Sequence, residues 1–299
     1  MSDTIDHTRL KGAMLAESIA LTGVTGELGS GICRLLERRG VPQRLVARSP
    51  ERLPRVENCS VVRASYADQA ALLRAFRGVD TVLFVSAHED PARLWLHRTV
   101  IDAAAEAGVR RVVYTSFMGA APHATFPFAR EHSATEQAIA AGGMRLTALR
   151  NSMYADLVPR FVGDDGVIRG PAGSGRAAWV ARWDVARLAT EVLLDDDHAD
   201  RVYDVSGPEP LDLHETARLL GEVTGRDITY HAEAEQEARQ SRAGAQQWEV
   251  DAWVGSYLAI ASGETSVTSH TVEHVTGRRP WSFAEYLRAE PDSWRHLAA

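Results

Sequence analysis

Short apolar runs alternate along the first two-thirds of the chain with longer stretches whose apolar residues recur every three or four positions. The runs are Ser18–Gly23 (SIALTG), Gln43–Arg48 (QRLVAR), Val61–Ala64, Thr81–Ser86 (TVLFVS), Arg110–Ser116 (RRVVYTS) and Met144–Arg150 (MRLTALR), and they read as strands. The helical stretches are Glu27–Arg39, closed by Gly40, then Gln69–Arg77, Pro91–Ala107, and a stretch around Phe128–Ala141. Strands alternating with such helices indicate βαβ units, and therefore a parallel sheet with helices on both faces. After Arg150 the rhythm loosens. A short strand at Gly166–Gly170 leads into the turn PAGSGR, a helix is expected over Asp184–Leu194, and Arg201–Gly207 (RVYDVSG) is a candidate to return to the sheet. Residues 1–16 carry no period and read as a loose arm. The pattern predicts an α/β fold: a doubly wound parallel sheet over 17–207, then a smaller, mostly helical C-terminal lobe over 208–299 on the substrate side.

Composition narrows the function more than the fold. With 45% hydrophobic and 24% charged residues among 299, the chain is ordinary for a globular protein. A formal charge of −7 gives no reason to expect nucleic acid or an anionic membrane as partner. No apolar run approaches a membrane span, and the opening residues have no signal-peptide apolar core, so the expected location is the cytoplasm. A homo-oligomer stays open. Cys33 and Cys59 both read as small buried apolar residues, and no cysteine or histidine spacing suggests a metal site. Lys11 is the only lysine, and it precedes the first strand. That excludes Schiff-base chemistry, a P-loop lysine and any Tyr-x-x-x-Lys pair.

The first strand runs into Gly23-Val24-Thr25-Gly26-Glu27-Leu28-Gly29, which opens the first helix. A pyrophosphate rests on a helix N-terminus only if the chain turns tightly and presents its backbone N–H groups. Gly23 would supply the turn, Gly26 the close approach, and Gly29 the contact of helix with sheet. The spacing is G-x-x-G-x-x-G, wider than the common dinucleotide fingerprint, yet the strand-turn-helix context is the required one. The whole therefore reads as a Rossmann-type dinucleotide-binding fold. An ordinary tight turn is the bland alternative. At the end of the second strand, where NAD sites carry an acid for the ribose 2′-OH, this chain has Arg48, with Arg52 four residues on. A guanidinium suits a 2′-phosphate, which favours NADP(H), with NAD(H) still open and a solvated arginine as the plain alternative.

TGVTGELG, VARSPERL, TVLFVSA, HRTVIDAAAEAGVRRVVYTS and LRNSMYAD, in this order and spacing, resemble the NmrA-like atypical short-chain dehydrogenases. Within that family the resemblance is to NADPH-dependent quinone reductases and triphenylmethane-dye reductases. It spans about Ser18 to Gly207 and resumes weakly at VTGRRPWSFAEYLR. It implies that Gly23, Thr25, Gly26, Glu27, Leu28 and Gly29 line the pyrophosphate and that Arg48 takes the 2′-phosphate. Ser86 and Ala87 would follow the adenosine–ribose path, Thr115 and Ser116 would end the fifth strand beside the nicotinamide, and Asn151, Ser152 and Tyr154 would close that side. The bland readings are strand-end hydroxyls for Ser86, Thr115 and Ser116, packing for Tyr154, and a structural role for His97.

Without a Tyr-Lys pair, carbonyl reduction lacks its usual proton donor. A quinone is less demanding, because hydride delivery yields a stabilised aromatic anion and positioning suffices. The segment after the fifth strand is apolar and aromatic and lies where open α/β sheets bind ligands, so substrate contacts are expected from 117–128 and 151–183. Candidate catalytic residues are Asn151, Tyr154, His123 and His132, and Trp179 and Trp183 are candidates for an aromatic wall or for core packing. Two functions remain: an NADPH-dependent oxidoreductase acting on a quinone or extended aromatic acceptor, in detoxification or natural-product tailoring, or an NADP(H)-binding redox sensor without turnover.

Overall fold

The computed structural model describes residues 19–53 and 55–298; the expected arm over 1–16, and Lys11 with it, lie outside the described residues. Strands and helices follow in order as β1 (Ile19–Leu21), α1 (Glu27–Arg38), β2 (Gln43–Ala47), β3 (Cys59–Arg63), α2 (Gln69–Phe76), β4 (Thr81–Phe84), α3 (Arg93–Glu106), β5 (Arg111–Phe117), α4 (Pro127–Ala141) and β6 (Arg145–Asn151). Alternation fails only between β2 and β3, where a single 3-10 turn at Pro50–Arg52 replaces a helix. The second half adds β7 (Val167–Gly170), β8 (Arg176–Ala177), α5 (Arg182–Leu194), β9 (Val202–Val205), β10 (Leu211–Asp212), α6 (Leu213–Thr224), β11 (Thr229–Ala232), α7 (Glu235–Ser241), α8 (Gln247–Ala261), α9 (Thr271–Thr276) and α10 (Phe283–Ala289).

Seven strands form one parallel sheet in the order β3-β2-β1-β4-β5-β6-β9. Ala20 of β1 is registered with Arg44 on one side and Val82 on the other. The chain therefore leaves β1 in one direction to build β2 and β3, then returns to place β4 on its other flank. Such a reversal opens a crevice at the carboxyl ends of the two central strands. α1 closes one face through Leu28, Ile32, Cys33 and Leu36, spaced to share one side of a helix, while Glu27 and Arg34 stay exposed. Gly40 ends it with φ +67°, the left-handed conformation of a helix C-cap.

The fold divides into two compact units that interleave along the chain. The first comprises 19–115, 135–148 and 186–201; the second comprises 116–134, 149–185 and 202–298. The first is centred on Leu72, Phe76, Val82, Phe84, Tyr114 and Ile139. Cys33 is buried there, and burial pushes its thiol up to about 12. Cys59 departs from expectation: β3 is an edge strand with half-exposed residues, so Cys59 is only half-buried, its Sγ 3.2 Å from Val56 O.

The second unit is centred on Trp179, Ile168, Leu213, Leu220, Phe283 and Leu287. Trp179 is core rather than wall, its Nε1 donating to Thr216 Oγ1 at 3.0 Å. The strand expected at Gly166–Gly170 is present as β7, but it pairs with β11 in a small sheet of its own. α6 begins with a reciprocal cap between Asp212 and Glu215 and ends at Gly225 with φ +72°. No helix among the described residues is long and apolar enough to cross a membrane.

Candidate functional site

The turn after β1 is fixed from beneath. Thr22 donates its hydroxyl to Leu83 O at 3.1 Å and accepts from Val85 N at 3.0 Å. The Tyr66 hydroxyl lies 2.7 Å from both Thr22 Oγ1 and Val85 O, and burial raises its pKa. Neither residue stands out in the sequence, because their role depends on strands that meet only in the folded sheet. Above them Gly23 sits at φ +65°, and a Cβ there would come 2.6 Å from Val85 Cβ. A Cβ on Gly29 would lie 2.3 Å from Gly23 O, so helix and turn touch backbone to backbone. Gly26 differs. It is the N-cap of α1, and a Cβ on it would meet only Gly23 O, at 3.4 Å. Thr25, Gly26 and Glu27 are exposed, whereas the Leu28 side chain is turned into the core, so Leu28 offers the site only its backbone. The first-turn N–H groups of α1 have no intrahelical acceptors and carry the positive end of the helix dipole. An anion fits this cradle.

β2 ends beside it. Arg63 donates to Arg48 O at 3.2 Å and pairs with Glu51 at 3.1 Å. Among the described residues no carboxylate pairs with the exposed Arg48 guanidinium. Beyond β4 the backbone is held by side chains: Ser86 N donates to Thr115 Oγ1 at 2.9 Å, and Ala87 N donates to His97 Nε2 at 3.0 Å. Since Nε2 accepts, the ring proton sits on Nδ1, 2.9 Å from Thr135 Oγ1. His97 is fully buried, edge-on to Phe84 and Tyr114. Burial, and then the charge of Arg93, push its pKa down to about 2. It is a neutral structural clamp, and the Thr115 hydroxyl, which accepts from Ser86 N, also lies 3.4 Å from Ser86 Oγ as donor.

The second unit holds the other candidates. Asn151 and Ser152 leave the end of β6 anchored by Met118 N to Asn151 O at 2.9 Å and by Ser152 N to Val205 O at 2.8 Å. Asn151 Nδ2 donates to the Tyr154 hydroxyl at 3.1 Å. The Arg182 guanidinium carbon lies 4.1 Å from the centre of the Tyr154 ring. Burial raises the Tyr154 pKa, and the Arg182 charge works against that rise. Asn151 and Ser152 are each 2% exposed, yet Asn151 Oδ1 and Ser152 Oγ have no hydrogen-bond partner among the described residues. Leaving such a group unpaired costs about 1–3 kcal/mol, so a native protein retains it where something else completes the bond. These two atoms match what a carboxamide would need.

After β5 the chain forms an apolar cluster of Phe126, Phe128, Ala124 and Ala129, with Phe117 and Trp248 packed against it. His132 is buried and stacks on Phe117, ring centres 6.2 Å apart and 25° from parallel, while His123 is exposed. Glu264, just past α8, accepts from Thr125 N at 3.0 Å and from its hydroxyl at 2.6 Å. Glu264, Asp156 and Arg182 carry no signal in the sequence, because their partners lie far away along the chain.

Residues 23–196 match the profile of the NAD(P)H-binding family. The chain belongs to that family. Quinone oxidoreductase 2 of Escherichia coli is 31% identical over 277 residues, covering 89% of this chain and 96% of its own. The (4-alkanoyl-5-oxo-2,5-dihydrofuran-3-yl)methyl phosphate reductase of Streptomyces griseus is 34% identical over 282 residues, covering 91% and 98%. The triphenylmethane reductase of Citrobacter sp., solved with NADP(H), superposes with a TM-score of 0.80 at 29% identity, covering 91% of this chain and 99% of that one. The present protein is thus an NAD(P)H-dependent oxidoreductase, related to quinone and dye reductases. Its cofactor is NAD(P)H.

Proposed function

We propose that this reductase delivers hydride from NADPH to a quinone or an extended, conjugated aromatic acceptor. The observation that carries the cofactor assignment is the pair of buried polar atoms, the acceptor Asn151 Oδ1 and the Ser152 hydroxyl, that have no hydrogen-bond partner among the described residues. The glycine cradle and the unpaired Arg48 support it. On this reading the backbone of Gly23, Thr25, Gly26, Glu27, Leu28 and Gly29 holds the pyrophosphate, and Arg48 holds the 2′-phosphate. Ser86 and Ala87 follow the adenosine ribose, and Thr115 and Ser116 flank the nicotinamide. Asn151 accepts from the carboxamide and Ser152 completes its bonding. When bound, the dinucleotide supplies the hydride.

The acceptor class rests on chemistry and kinship together. Phe117, Phe126, Phe128, His132 and Trp248 provide flat apolar surface in the second unit. The relatives are named for acting on a quinone, a conjugated furanone and a triarylmethane dye; the first two can spread the negative charge that hydride brings, and a cationic triarylmethane is neutralised by it. The sole lysine is Lys11 and the sequence holds no Tyr-x-x-x-Lys pair, so on this reading positioning beside the hydride donor supplies the rate. His123 and His132 are then dispensable as acids.

The decisive experiment is steady-state NADPH oxidation at 340 nm with soluble quinones and aromatic dyes. We expect turnover with at least one of them. His123→Ala and His132→Ala should lower it by less than the roughly 10²-fold that marks loss of a general acid–base group. Asn151→Ala should lower it more. NADPH that binds but is oxidised by no quinone or dye would overturn the acceptor assignment and favour a sensor; collapse in one histidine variant with intact cofactor affinity would identify a catalytic acid.

A further inference from the structure

Arg182 opens α5, where a cation faces the positive end of the helix dipole and weakens the helix rather than supporting it. Something else holds it there. Its Nε donates to both carboxylate oxygens of Asp156 at 2.8 Å, and its side chain and that of Asp156 are only 28% and 11% exposed. The guanidinium so fixed lies 4.1 Å from the Tyr154 ring centre, in cation–π contact. Around it the backbone is tied down: Val180 N donates to Met153 O at 2.9 Å, and Ala155 N to Val180 O at 3.0 Å. Tyr154 therefore has its backbone fastened on both sides and its ring covered. Its hydroxyl takes the hydrogen of Asn151 Nδ2 at 3.1 Å. With the amide nitrogen committed, Asn151 presents Oδ1, buried and unpartnered, as an acceptor.

We propose that Arg182, locked by Asp156, is a positioning residue that sets the Asn151 amide through Tyr154, and so selects a ligand group that donates a hydrogen bond. This rests on the assignment of Asn151 to the nicotinamide carboxamide. A bare structural ion pair would stabilise the unit without telling one end of the dinucleotide from the other. A positioning role predicts an effect confined to the nicotinamide end and coupled to the Tyr154 hydroxyl.

The test compares two probes by fluorescence titration and calorimetry: NADPH, and 2′,5′-ADP, which lacks the nicotinamide. Arg182→Gln and Tyr154→Phe should each weaken NADPH binding roughly tenfold, the scale of coupling between contacting residues, and leave 2′,5′-ADP binding unchanged. The double variant should be no weaker than the worse single one. Arg182→Lys, which keeps the charge but not the fork, should recover part of the loss. Should Arg182→Gln fail to fold, Asp156→Asn, which frees the guanidinium, should show the same selective loss. Additive losses, equal losses for both probes, or wild-type NADPH affinity in Arg182→Gln would overturn the proposal. Wild-type affinity in Asn151→Ala would overturn the carboxamide assignment along with it, whereas a loss there with none in Arg182→Gln overturns the positioning role alone.

Discussion

Arg48 and the three glycines of the turn act through single atoms, and each has a distinct signature. If Arg48 grips the 2′-phosphate, Arg48→Ala should weaken NADPH binding by about 1.5–3 kcal/mol, the worth of a charge-assisted hydrogen bond, and leave NADH nearly unchanged. Equal losses in paired calorimetric titrations would remove Arg48 from the site. The glycines separate into structural and ligand-facing positions. Gly29→Ala forces a Cβ to 2.3 Å from Gly23 O, so the turn must move; melting temperature and NADPH affinity should fall together. At Gly26 an added Cβ meets only Gly23 O at 3.4 Å, in ordinary van der Waals contact, and the position is exposed, so Gly26→Val should fold with no more than the roughly 1 kcal/mol of a poor N-cap while dinucleotide binding is lost. A folded Gly26→Val with wild-type affinity would take the glycine turn out of the argument. Sequence spacing singles out all three glycines alike. Only the three-dimensional contacts distinguish them, because the atom that Gly29 would strike belongs to a turn six residues earlier.

At the scale of elements, the strands and helices through β6 lie within about two residues of their expected positions, since each buries a continuous apolar run or stripe. The partners in the clamps between elements were not legible, even where, as for His97, the sequence reading already included a structural role. His97 joins the backbone after β4 to α4, and its free energy depends on pH. Its folded pKa is depressed to about 2 from an unfolded value near 6.5. In that window the unfolded chain binds a proton that the folded one does not. The stability is therefore full above about pH 6.5 and declines as pH falls, by up to about 1.4 kcal/mol per pH unit from this one group. Urea unfolding at pH 7 and pH 5.5 should show a smaller loss in His97→Gln than in the parent protein. An unchanged difference would mean that His97 is not held neutral.

At the scale of the molecule, a ligand that binds only the native state adds RT ln(1 + [L]/Kd) to stability, about 2.7 kcal/mol at a hundredfold excess over Kd. NADPH should therefore raise the thermal midpoint more than NADH at equal concentration, and Arg48→Ala should abolish the difference. Equal shifts in the parent protein would contradict the NADP(H) preference. The alternation of apolar runs and helical stripes, the glycine turn after β1 and the place of Arg48 at the end of β2 were readable from the chain alone, because they depend on neighbours a few positions away and on periodicities that burial imposes locally. The absence of a lysine after position 11 needed no structure either. Which residues hold the candidate site together did not follow in the same way. Tyr66 under Thr22, Glu264 on Thr125, and Asp156 with Arg182 over Tyr154 are pairings across 26 to 139 positions. So is the pairing of β7 with β11 outside the main sheet. Polar side chains of this kind carry no periodicity. Their partners, and hence their roles, exist only once the tertiary structure has brought distant backbone together and excluded the water that would otherwise satisfy them.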